Sequence, residues 1–316
     1  KCPQADDAAA ASVCFEEVRR PVPVLAEAAW GLAPFPLPRT PSSSVNAFWA
    51  FLGSSEDRPT LPALAVQGRA LRHDEAWRRV FYDASAGIIG RAGGIEEATR
   101  QMRSRAKAAG STSPLLPTGE IGAVAPFAVS RQQPALREAI ERLYAGPDSH
   151  FLNFYGPAGT IRHISYSRLI GSGSPPWPAG ADTDLEGVAV FVGSSELGKP
   201  VQADHFRTVY PRDDGVEMSG AEVAATAYAN LLTSTTLQPV GPVTALGVMA
   251  ALGVILTACA YGLPLAAAAP STVALALGYG IVAVALFARH VWLPFAIPLL
   301  LTLPAALIVG TGGPLL

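Results

Sequence analysis

Leu136, Ile140 and Leu143 fall on one face of PALREAIERLY at helical spacing, with the charged residues on the other face. The same rhythm predicts a helix in GIEEATRQMRSRAKAA. It predicts another capped by Thr60, with Pro62 near its start, continuing unbroken through ALAVQGRALRHDEAWRRVF. HFLNFYG, at 150–156, reads as a strand, and SYSRLIG as a short helix with Ser165 as its cap. GVAVFVG, at 187–193, is a continuous apolar run, the pattern of a strand covered on both faces. Ser219-Gly220-Ala221-Glu222 has capping-box spacing: the serine hydroxyl meets the N–H three residues on, and the glutamate reaches back to the serine. Val223, Ala227 and Leu231 follow at i, i+4 and i+8. Helices alternating with apolar strands predict an α/β domain with a mainly parallel sheet.

Beyond that last helix the alternation stops and three apolar stretches follow. They cover about 243–261, 271–288 and 291–309, each near the roughly 20 residues that cross a bilayer core. Pro264 and Pro270 bracket the first connection, and Arg289 and His290 mark the second. Pro294, Pro298 and Pro304 predict a kinked third span, with Trp292 suited to the interface. The expected organisation is a soluble domain over 1–240, three transmembrane helices within 241–310 and a tail at 311–316.

Charge sharpens this division. All 25 Asp and Glu precede Val223, and Arg289 is the only one of the 23 Lys and Arg beyond it. The soluble part is slightly acidic with no long basic run, which argues against nucleic acid as a partner. Arg100, Arg103, Arg105 and Lys107 read as a solvated helix face. Cys259 lies in an apolar span; Cys2 and Cys14 either pair in an oxidising compartment or stay as thiols. KCPQADDAAAASVC has no apolar signal region, so any exporting segment is expected to precede Lys1. By the positive-inside rule, Arg289 places the second loop, and with it the soluble domain, in the cytoplasm.

Candidate chemistry is sparse. AVFVGSSELGKP has the glycine and lysine spacing of a phosphate-binding loop, but Pro200 stands where the Mg²⁺-binding Ser or Thr belongs and has no N–H to offer. A strand followed by a turn is the expected reading. GSSELG is not a nucleophile elbow, and His150, His163, His205 and Asp204 match no metal-ligand spacing. No catalytic residue, metal or cofactor is expected. In NFYGPAGT, Gly156 and Gly159 allow close backbone approach, while Asn153, Tyr155, Thr160 and Arg162 present polar groups. Asp204, Arg207 and Thr208 form a second cluster after the apolar run. Two readings stay open: a tight turn holding the fold, or a small-molecule pocket lined by both loops.

Three blocks resemble one family. FLNFYGPAGTIRHISYSRLI (151–170), DLEGVAVFVGSSE (184–196) with DHFRTVY (204–210), and SGAEVAATAYANLL (219–232) are similar to the CHASE extracytoplasmic sensor domain, type two, of bacterial adenylate cyclases and protein kinases. PVPVLAEAAWGLAPFPL and LPALAVQ match more loosely, and the resemblance covers roughly 20–310. It implies a soluble domain outside the cytoplasm, against the vote of Arg289, with three following spans in a bacterial inner membrane. Many members have His where Ala224 stands, and the family's domain opens with an anchor, a strand and a helix. An N-terminal part of the sheet is therefore expected to be lacking here. The implied function is the input region of a receptor whose cyclase or kinase follows the third span. The chain itself is then not an enzyme, and the last soluble helix passes a ligand-induced shift to the spans. The expected partners are the bilayer, an unknown small molecule and a second copy in a homodimer. The alternatives are a membrane-tethered nucleotide-binding or hydrolytic enzyme, or a dimerisation module without a ligand.

Overall fold

A computed structural model describes residues 21–37, 44–53, 56–88, 94–109, 134–166, 185, 187–193, 205–210 and 217–294. Cys2, Cys14, Asp204, the Gly198-Lys199-Pro200 turn and all but the start of the Ser165 helix lie outside these residues. The chain is α/β, with eight helices among the described residues, and divides into two units. One holds residues up to Ser149 together with Phe154–Ser234; the other holds His150–Asn153 and the chain from Thr235 onward.

The first unit contains α1 (Pro23–Ala28), α2 (Leu61–His73), α3 (Glu75–Ala84), α4 (Gly94–Ala109), α5 (Pro134–Ala145) and α6 (Gly220–Thr233). The helix expected to run unbroken from Thr60 is two helices. Asp74 ends α2 in an extended conformation and caps α3, its carboxylate accepting the Trp77 N–H at 3.0 Å. An aspartate that can satisfy a free helix donor competes with helix continuation, and here the cap wins. Thr60 holds the N-cap position of α2 but caps nothing. Its hydroxyl donates to the carbonyls of Trp49 at 2.6 Å and Ala50 at 3.1 Å, pinning the helix start to the preceding segment.

α2 packs along α6 and α5. Phe48, Phe51, Val66, Phe81, Tyr144 and Val223 fill the core between them. On α6, Val223, Ala227 and Leu231 are buried as their spacing requires. The sheet differs from expectation among the described residues. Phe51–Leu52 pairs with Arg58–Pro59, and His205–Phe206 with Met218–Ser219, both antiparallel and two residues long. A parallel bridge joins Ser44 to Arg207. Residues 188–193 pair with no described strand. Phe191 packs on Tyr228 at 5.5 Å between ring centres, while Val188, Val190 and Val192 are exposed. An apolar run states what must leave water, not which backbone pairs with it.

The second unit contains α7 (Pro242–Gly262) and α8 (Leu265–Phe287). Both are long and apolar enough to cross a membrane, with mean hydropathies of 2.0 and 1.8 over their spanning windows. Tyr279, Ala283 and Leu293 pack with Val248, Leu252 and Leu286. Pro270, expected to close a loop, lies inside α8. Pro264 is the N-cap, and alanines, the best helix formers, carry the helix back past the proline. The third expected span does not open as a helix: Val291–Trp292 pairs in parallel with Gln238–Pro239. The Trp292 ring meets Phe151 edge-on at 5.0 Å. Residues 295–316 lie outside the described chain.

Candidate functional site

The segment from Phe154 to His163 is built onto α6 by a polar stripe. Glu222, Thr226 and Asn230 recur at i, i+4 and i+8 on a helix that is otherwise apolar, and all three are buried. Glu222, only 3% exposed, accepts the Gly159 N–H at 3.0 and 3.1 Å and the Ile161 N–H at 3.2 Å. His163 Nε2 lies 3.5 Å from the same carboxylate. Asn230 Nδ2 donates to the Tyr155 hydroxyl at 3.2 Å. Buried polar groups must be paired, so Glu222 and Asn230 fix where the loop sits, while Thr226 Oγ1 donates to the Glu222 carbonyl within the helix.

The capping box is therefore half formed. Ser219 Oγ accepts the Glu222 N–H at 3.3 Å as its spacing predicts. The Glu222 side chain holds the loop instead of reaching back to Ser219. Two backbone donors from a tight turn outcompete one at the helix end.

The turn accounts for its own glycines. Thr160 N–H and Oγ1 both donate to the Pro157 carbonyl, at 3.1 and 2.6 Å. Gly159 has φ +90°, a region side chains avoid. A Cβ on Gly156 would run into the Thr160 side chain.

Tyr155, Gly156, Gly159 and Thr160 gather along α6, with the exposed Arg162 beside them. Asn153 belongs to the other unit, its Nδ2 3.4 Å from His290 Nδ1. Arg207 donates from Nε to Glu217 at 3.2 Å, and Thr208 Oγ1 accepts the Tyr210 N–H at 3.3 Å. Asp204 lies outside the described residues. Gly193, the first glycine of the phosphate-loop look-alike, sits where a Cβ would come 2.8 Å from Ala221 Cβ. That glycine serves helix packing.

Residues 18–263 match the family model of the CHASE2 domain. The chain belongs to the CHASE2 family. CHASE2 domains are extracytoplasmic sensory domains, and this chain is consistent with a sensory input region. No curated protein and no solved structure matches it.

The CHASE2 domain of this chain contains a buried cation that sequence pattern misplaced. Arg103, expected on a solvated face, is 1% exposed. Its guanidinium donates to the carbonyls of Leu143 at 3.3 Å, Tyr144, and Gly146 at 2.6 Å, and to Asp148 Oδ1 at 2.8 Å. It also lies 4.8 Å from the centre of the Phe51 ring. It thus closes the C-terminus of α5, where carbonyls lack helical partners. Burial pushes the Asp148 carboxyl up, but the Arg103 and Lys107 cations outweigh it and hold its pKa below the ordinary 3.8. Asn230 and Glu222 were legible only as helix residues. The signal was present, since polar residues at i, i+4 and i+8 on an apolar helix need partners.

Proposed function

We propose that the chain is the input region of a membrane signalling receptor. The first unit lies outside the cytoplasm and regulates an effector of the cyclase or kinase class carried beyond the membrane segments. The observation that carries this reading is the CHASE2 match, which runs through α6 and on to residue 263, at the end of α7. Support comes from the surfaces of α7 and α8. A core helix of a soluble protein hides its apolar side chains, yet Val243, Leu246, Val254, Ile281 and Val284 are exposed, and only 6% of the α7 window is buried. Lipid is the solvent that suits such helices. In this reading a third crossing follows the Val291–Trp292 pair, which puts the two ends of the bundle on opposite faces of a bacterial inner membrane. The chain catalyses nothing, and its output is a change in population of α6-linked states.

Alkaline phosphatase fused after Val240, in the full gene product, tests the orientation. Activity of the fusion is expected; an inactive phosphatase alongside a fluorescent green-protein fusion at the same point would overturn the reading.

A further inference from the structure

α2 presents Ala65, Gly68, Arg69 and Arg72 on one face at i, i+3, i+4 and i+7. The two small residues leave room, and the two arginines border it. Gly68 has a particular use: a Cβ there would come 3.3 Å from the Trp30 ring, so the glycine lets the indole rest on the helix. After the break at Asp74, α3 adds Arg78 and Tyr82, one turn apart. Tyr228 comes from α6, and the 187–189 backbone closes another side. Together they line a cavity of about 690 Å³, inside the range of roughly 300–1,000 Å³ typical of small-molecule sites.

Its described charged residues are all basic. Arg69, Arg72, His73 and Arg78 line the cavity, and no described Asp or Glu does, in a chain whose net charge is −2. Arg69 donates to the Gly187 carbonyl at 3.0 Å. Neither Arg72 nor Arg78 has a carboxylate partner among the described residues. The dipole of α2 accounts for Arg72 and His73, which lie in its last turn. It does not account for Arg78, which sits near the N-terminus of α3, where the helix field disfavours a cation. Nor does it account for Trp30 and Tyr82, aromatic side chains left 52% and 42% exposed at the cavity.

We propose that this cavity binds a small organic anion with a planar apolar body. Arg72 and Arg78 hold the carboxylate or phosphate, and Trp30 and Tyr82 cover the body. Guanidinium forks match both anions, and aromatic faces suit flat ligands. As a binding site it stands on the cavity alone; as the stimulus site of the receptor it rests on the sensory reading. Tyr228 then reports occupancy to α6.

The full chain in phosphatidylcholine nanodiscs, titrated calorimetrically with phenyl phosphate, benzoate, inorganic phosphate and neutral benzyl alcohol, tests this. Phenyl phosphate or benzoate is expected to bind saturably, and whichever is tighter identifies the anion. Inorganic phosphate and benzyl alcohol should be weaker by about tenfold or more, since each lacks half of the recognition. Arg72→Gln with Arg78→Gln should weaken binding by about tenfold or more, one lost charge-assisted hydrogen bond being enough for that. Tyr82→Ala should weaken the aryl probes and spare inorganic phosphate. Arg142→Gln, an exposed cation elsewhere, should change nothing. No saturable binding by the folded protein, loss with Arg142→Gln equal to that of the pair, or inorganic phosphate as tight as phenyl phosphate would each overturn the proposal. Binding that persists while the phosphatase fusion proves cytoplasmic would leave the site standing and remove the sensory reading.

Discussion

A guanidinium cut off from water is tolerated when most of its protons find acceptors and its charge finds a counter-ion, and of the Arg103 nitrogens only Nε is left without an acceptor. Arg103 takes three carbonyls at the end of α5 and the Asp148 carboxylate, and Lys107 joins the same carboxylate. The folded pKa of Asp148 is depressed, so its contribution to stability is fully present above the unfolded value near 3.8 and is lost as pH falls through the lower folded value. Melting temperatures at pH 6 and pH 3 should therefore differ less in Asp148→Asn than in the wild type. An unchanged gap would mean that Asp148 stays charged, or unpaired, in both states. None of this was legible in RQMRSRAKAA. Alternating charges on a helix look alike whether the long side chains reach solvent or turn inward to a neighbouring helix end.

Helices were readable because their spacing is written in adjacent residues. α4 matches the segment expected for it, and the buried face of α6 is the one its periodicity marks. The strand expected at 150–156 overlaps the Ser149–Phe151 strand, but sheet pairing was not readable: two-residue pairs such as Phe51–Leu52 with Arg58–Pro59 leave no alternation to detect. The polar turn after the Ser149–Phe151 strand was visible as a special segment, but its partner was not, because Glu222 had a closer use on paper as a cap. Glu222→Ala should leave the Gly159 and Ile161 N–H groups without their acceptor, at about 2–4 kcal/mol if neither finds water. Chemical denaturation reads that loss, and amide exchange should accelerate at both positions. Slow exchange at Gly159 in the variant would show that the turn holds itself.

At the scale of the molecule, hydropathy separated the chain more sharply than any motif did. The first two apolar stretches are the helices α7 and α8, shifted by a few residues, and the break in charge at Val223 falls within α6. The third stretch starts with a two-residue strand pair that hydropathy could not foresee, since an apolar residue scores the same in either geometry. Membrane fractions washed with alkaline carbonate should retain the full chain in the pellet. Release into the supernatant would mean that the exposed faces of α7 and α8 are covered by protein and not by lipid. The proline inside α8 then acquires a meaning of depth. Pro270 cannot donate to the Ala266 carbonyl, so that oxygen needs another donor. It lies in the first turn of a 23-residue helix about 34 Å long, a few ångströms longer than the hydrocarbon layer. In a bilayer, with that end seated among the headgroups, the oxygen would meet water. Slid two turns inward, it would be stranded in oil, and so one missing rung would limit how far this rod could piston.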